Sequence, residues 1–160
     1  MIASMSKFIY REARLSDVPQ LVELRVLMQC EVNSFEISEV SPNFTSLSEK
    51  YFTKALMDQS YFSAVAELNG RLVSANGLVI YEKPPSINGL SGRVGYVTNV
   101  YTFPEYRGKG IAGELMQMLV QFAKKSNVAK LHLGATSSGK RVYERVGFNA
   151  VKFEALELKI

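Results

Sequence analysis

Residues 104–119 read PEYRGKGIAGELMQML, and the two halves differ in character. A turn and two glycines around Lys109 give way to a strongly apolar, helix-favouring run. Glycine in a helix costs about 0.5–1 kcal/mol relative to alanine. Two of them at a helix mouth imply that something approaches the backbone closely. The first turn of a helix leaves its backbone N–H groups without acceptors, and the helix dipole adds partial positive charge there. The combination is an anion site suited to phosphate, with Arg107 and Lys109 beside it.

Three phosphate loops fit such a stretch. A Walker loop needs Lys-Ser/Thr after its second glycine, and this stretch has none. Gly108, Gly110 and Gly113 do spell G-x-G-x-x-G. A dinucleotide fingerprint, however, follows its strand tightly, near the start of a doubly wound unit, with an acidic residue about 20 positions on. Here Pro104–Arg107 intervenes, the motif lies late in the chain, and LHLGATSS supplies no carboxylate. The third kind of loop depends on the elements on either side of it.

Upstream, RVGYVTNVYT (93–102) is strand-like, and the helix after the glycines runs from about Gly108 to Ser126, with Ile111, Leu115, Met118, Leu119 and Phe122 on one face. Before that strand, YFSAVAEL (61–68) and RLVSANGLVIYE (71–82) flank Asn69-Gly70, a strong hairpin signal. KPPSINGLSG is a loop. Further upstream, Lys7–Ala13 reads as a strand, and a helix starts at Ser16-Asp17 with Pro19 in its first turn and ends near Glu31. Residues 33–44 read as a loop or broken helix. A second helix starts near Ser46, where Ser46 and Glu49 have capping-box spacing. Downstream come a strand at Ala129–Ala135, a short helix from Ser138 to Val146 closed by Gly147, and a last strand over Phe148–Leu158. The order is β-α-α-β-β-β-α-β-α-β, an α+β fold on a mixed sheet. With no linker or repeat, residues 1–160 read as one domain, and 1–6 as a flexible N-terminus.

RGKGIA (107–112) resembles the pyrophosphate motif R/Q-x-x-G-x-G/A of the GCN5-related N-acetyltransferase (GNAT) family, with Ala112 in the last small position. NVYTFPEYRGKGIAGELM looks like that family's fourth strand and following helix, and VYERVGF (142–148) like its closing tyrosine motif. ATSSGKRVYERVGF resembles a variant within the family in which Ala-Thr and Gly precede the tyrosine. The resemblance implies a mixed central sheet whose fourth and fifth strands splay apart around the pantetheine arm of acetyl-CoA. Backbone at Val100, Tyr101 and Thr102 would then bind the pantetheine and acetyl carbonyl. Backbone N–H groups of Arg107, Gly108, Lys109, Gly110, Ile111 and Ala112 would cradle the pyrophosphate. Thr136 stands where the family often has asparagine, and Gly139 where it often has alanine.

Acetyl transfer to an amine needs a deprotonated nucleophile, donors for the developing oxyanion, and a proton for the departing thiolate. A phenol of pKa ~10 can supply that proton, and the resemblance gives Tyr143 this role. On helical spacing alone, Tyr143 packs with Val142 and Val146. Many relatives carry a glutamate on or beside the fourth strand, but YVTNVYT has none. The base is therefore left between Glu31, placed nearby by topology, and a water chain. Tyr96 and Tyr101 line an acceptor pocket or pack in the core. Glu31, Glu36 and Glu39 hint at a cationic acceptor.

The remaining features bound the answer. The net charge of +4 is scattered, with no basic stripe of the kind that nucleic acid requires. No apolar window reaches the ~18 residues of a membrane span, and the first residues lack a signal peptide's apolar core. The single Cys30 fits a reducing, cytoplasmic setting and packing rather than nucleophilic work. His132, the only histidine, has no ligand spacing around it, so no metal is expected. The expectation is a cytoplasmic acetyltransferase using acetyl-CoA and a small-molecule or peptide amine, with no nucleic acid or membrane partner; a homodimer is compatible with it. A non-catalytic acyl-CoA binding module is the alternative.

Overall fold

The computed structural model describes residues 7–160; the N-terminal segment 1–6, expected to be flexible, lies outside the described residues. Strand β1 is Ile9–Glu12, helix α1 Val18–Asn33 and helix α2 Pro42–Met57. Strands β2 (Tyr61–Phe62), β3 (Ala64–Leu68), β4 (Arg71–Glu82) and β5 (Arg93–Thr102) follow. Helix α3 (Ile111–Lys125), strand β6 (Lys130–His132) and helix α4 (Lys140–Arg145) complete the order.

The sheet runs β1-β3-β4-β5-β6, with β2 pairing β4. Every pairing is antiparallel except β5 with β6, which is parallel. Asn69 and Gly70 both take positive φ and close the β3–β4 hairpin as expected. One face of the sheet packs α1 and α2 through Leu21, Leu24, Phe52, Val65 and Leu72. The other packs α3 through Ile111, Leu115, Met116 and Leu119 against Ala64, Val73 and Leu78.

Several boundaries differ from expectation. Helix α2 starts earlier, because Ser41 Oγ accepts the Asn43 N–H and Pro42 fits the first turn; Ser46 and Glu49 are interior, not a cap. The strand expected over 61–68 breaks at Ser63, whose hydroxyl donates to the Asn76 carbonyl at 2.6 Å. The fully buried methionine of α3 is Met116 rather than Met118. The strand expected over Phe148–Leu158 does not form. Residues 149–158 are exposed, 148–158 pair with no strand among the described residues, and a strand draws its stability from ladder and packing partners rather than from propensity.

The parallel pairing of β5 with β6 covers only Val94–Tyr96 against Lys130–His132. Beyond it, Val97–Thr102 continues with no strand on that side. On the other side the β4 register slips between Ala75 and Gly77, so Asn99 and Val100 form a bulge, and Asn99 takes φ +53°. A bulge bends and re-aims a strand. The sheet is therefore open at one point, and the glycine loop stands at its mouth.

Candidate active site

The loop after β5 makes a short 3-10 turn, Pro104–Tyr106, then Arg107 and the glycines. Gly108 has φ +75° and Gly110, the residue capping α3, has φ +80°. Glycine reaches that region without the Cβ clash that other residues meet. From Gly108 through Gly113 no backbone N–H finds an acceptor among the described residues; the first helical bond runs from the Glu114 N–H to the Gly110 carbonyl at 3.2 Å. A Cβ built on Gly108, Gly110 or Gly113 meets nothing within 4 Å. A row of free N–H groups, aligned with a helix dipole and open to solvent, suits a pyrophosphate.

Arg107 points elsewhere. Its Nε donates to the Thr102 carbonyl at 2.8 Å, and its Nη2 pairs with Glu31 Oε2 at 2.7 Å. Its guanidinium stacks over the Tyr101 ring, 5.4 Å from the centroid. The Thr102 carbonyl is thus occupied from within the chain, as is that of Tyr101, which accepts from Ser74 Oγ at 2.9 Å. Thr102 also shares a hydrogen bond with Ser74 between hydroxyls 2.8 Å apart. Burial chiefly, with the Glu31 charge, raises the Tyr101 phenol above its ordinary value. Lys109 folds back, its Nζ 5.3 Å from the Tyr106 ring centroid.

Glu31 therefore reaches the mouth of the sheet from the end of α1, held there by Arg107. Glu39 does not face an acceptor: its carboxylate accepts the Glu36 N–H at 2.7 Å and caps the short turn 37–39. Tyr96 is exposed and Tyr101 is buried. A surface depression lined by Glu49, Thr53 and Met57 of α2 contains none of these residues.

Tyr143 lies on α4, half-buried against α3, its ring edge-on to Phe148 with centroids 6.1 Å apart. Gly147, at φ +104°, closes the helix as expected, with the Phe148 N–H donating to the Tyr143 carbonyl at 3.1 Å. Burial raises the phenol above its ordinary value, so it is protonated at neutral pH. Thr136 accepts the Gly139 N–H on its Oγ1 at 3.2 Å and the Lys140 N–H on its carbonyl at 3.0 Å, which starts α4.

Loop, open strand and tyrosine stand in the order the GNAT resemblance implies, and comparison with known proteins agrees. The profile of the acetyltransferase (GNAT) family matches residues 26–148. The chain belongs to this family. It is an acetyltransferase by that membership. Thialysine N-epsilon-acetyltransferase of Bos taurus is 28% identical over 143 residues, covering 88% of this chain and 81% of that one. A predicted acetyltransferase of Clostridium acetobutylicum, solved with acetyl-CoA, superposes with TM-score 0.84 at 31% identity over 96% of each chain. A GCN5-related N-acetyltransferase of Ralstonia eutropha shares the fold at TM-score 0.77 and 24% identity, over 95% of this chain and 99% of that one.

Sequence reasoning missed one part of this GNAT site. Arg25 of α1 donates to Asn99 Oδ1, and Asn99 Nδ2 donates to the Tyr61 hydroxyl at 2.8 Å. Nothing in the spacing of residues 25, 61 and 99 announces that contact; only the bulge at Asn99 brings them together.

Proposed function

We propose that this acetyltransferase moves the acetyl group of acetyl-CoA to a primary amine of a small molecule or peptide, by direct attack while both substrates are bound. The observation that carries the reading is the row of free N–H groups from Gly108 to Gly113 beside the unpaired edge of β5. These groups would hold the pyrophosphate. The unpaired edge of Val97–Thr102 would take the pantetheine arm, with Val100 at its bulge. Thr136 and Gly139, at the start of α4, would complete the cofactor site. The bovine relative is named for acetylating the ε-nitrogen of thialysine, which supports an amine acceptor.

The amine lone pair attacks the acetyl carbonyl carbon. The carbon–sulfur bond breaks, and the thiolate leaves with a proton from the Tyr143 hydroxyl. The ammonium loses one proton to solvent or to Glu31 before attack, and the nitrogen loses a second to solvent after it, from which Tyr143 is reprotonated. A lysine-like amine of pKa ~10.4 is neutral in only about one molecule in 10³ at pH 7. Because Arg107 already engages the Glu31 carboxylate, solvent is the route proposed here. kcat/KM then climbs with pH and follows the acceptor's own ionisation. Two amines differing by a unit in pKa test this. A shared inflection that disappears in Glu31→Gln would make Glu31 the base.

The reading extends to one domain over residues 1–160, working in the cytoplasm without nucleic acid or membrane partners. Among the described residues no helix is long and apolar enough to cross a membrane. The decisive experiment is an amine panel with acetyl-CoA, scored by thiol release and by mass of the acetylated product. Stoichiometric CoA and N-acetyl product support the proposal. Tight acetyl-CoA binding with no product from any amine would leave a binding module.

A further inference from the structure

Arg25 is the half-buried arginine for which the described residues provide no carboxylate. Arg11 pairs with Asp17 and Glu67, Arg93 approaches Glu82, and the exposed Arg71 and Arg107 pair with Glu23 and Glu31. Arg14, Arg141 and Arg145 are exposed to water. Among the described residues no carboxylate lies within ion-pairing distance of Arg25. Its partners are neutral: the Asn99 amide oxygen through Nη1, and the Phe44 ring, 5.6 Å from the guanidinium carbon. A guanidinium partly withdrawn from water without a counter-charge is costly, and such charges are ordinarily paired.

The surroundings hold it in place. Asn99 is gripped from its other end by the Tyr61 hydroxyl, and Tyr61 packs against Phe52 and Tyr51 with centroids 5.3 and 5.9 Å away. Asn99 sits at φ +53° in the bulge of β5, next to Val100. The guanidinium is therefore oriented at the same opening of the sheet where the acyl group would lie, on the α1 side. Nη2 and Nε donate to nothing among the described residues. Guanidinium presents its donors as a planar fork that matches a carboxylate in two parallel hydrogen bonds.

Resting on the acetyltransferase reading above, we propose that Arg25 binds a carboxylate of the acceptor, so that the substrate class is amino acids and related amines bearing a carboxylate. Nη2 and Nε take the acceptor's two oxygens, Phe44 covers the guanidinium face, and Asn99 fixes the distance between carboxylate and acyl carbon. Arg25 is a specificity residue; Asn99 and Tyr61 position it.

The test compares amino acids with their own carboxamides in the wild-type protein. The two differ in the carboxylate while both keep the amine. kcat/KM for the amides should fall about 10- to 100-fold, mostly through KM, the scale of a lost charged hydrogen-bond pair. In Arg25→Gln the acid and the amide should become equal, and Arg25→Lys should restore part of the preference for the acid. Equal rates for acid and amide in the wild type would overturn this proposal and leave the acetyltransferase reading standing. So would a preference for diamines without a carboxylate, or an equal loss on both acceptors in Arg25→Gln. Acetyl-CoA binding without any acetylated amine would overturn both. The wild-type comparison needs no variant to fold.

Discussion

Strand β4 is buried from Leu72 through Leu78, and α3 buries Ile111, Leu115, Met116, Leu119 and Ala123. Strand β6, helix α4 and the residues after them contain no fully buried side chain. The two regions carry the two ends of the proposed site. The glycine loop springs from the packed region, between β5 and α3. Tyr143 stands in the loose one, held by Val146, Phe148 and the side of α3. A site needs its binding floor fixed, because a misplaced anion cradle loses every N–H at once.

The largest effect should come from the packed end. Gly110→Asp forces a side chain onto a backbone at φ +80° and puts a negative charge beside the pyrophosphate. Acetyl-CoA binding should vanish from calorimetry while the fold persists. Unchanged affinity would remove the loop from the cofactor site.

The next test sets one region directly against the other. Leu115 is 1% exposed and Leu156 is 91% exposed. Leu115→Ala should cost about 2–5 kcal/mol in denaturant unfolding, and Leu156→Ala less than about 0.5 kcal/mol. A comparable loss at Leu156 would mean that the C-terminal segment has a packing partner, such as the second copy of a homodimer; light scattering would then show the association state.

Tyr143→Phe probes the loose end chemically. Acetyl-CoA affinity should hold, and kcat should fall on the order of 10²-fold, the usual reach of one general acid. Unchanged turnover on a good acceptor would return Tyr143 to packing against Phe148.

The smallest effect is electrostatic and belongs to the far edge of the sheet. Burial pushes the Asp17 carboxyl up, but hydrogen bonds from Arg11 and from the Arg14 N–H, with their charges, outweigh it and hold the group below its ordinary value. A carboxyl lowered by folding adds stability that is complete above its unfolded pKa of ~3.9 and is lost as pH falls through the folded value. Thermal stability should therefore drop below about pH 4, and Asp17→Asn should flatten that limb while costing about 1–3 kcal/mol at neutral pH. An unchanged acid limb would assign acid unfolding to other carboxylates.

The same unevenness explains what could be read in advance. The hairpin at Asn69-Gly70, strand 93–102 and the glycine loop are set by local chemistry, so spacing alone located them. Gly147 was legible as a helix stop for the same reason. The start of α2 was misplaced because Ser41-Pro42 lies inside a polar stretch that reads as loop, and a side-chain cap decides it. The closing strand over Phe148–Leu158 does not form, because alternation shows that a strand can form, not that a partner waits for it. Long-range contacts were the least legible part. Arg107 meets Glu31 across 76 residues, and Arg25 meets Asn99 across 74. Neither separation leaves a periodic trace.

Cys30 has a consequence at the bench. It is the only sulfhydryl of the chain, 8% exposed near the end of α1. A thiol shut in apolar surroundings reacts slowly with disulfide reagents. The folded protein thus contributes a faint and slow background to any colour reaction that counts released CoA. A fast-growing signal belongs to the reaction, and a delayed single equivalent reports the loosening of α1.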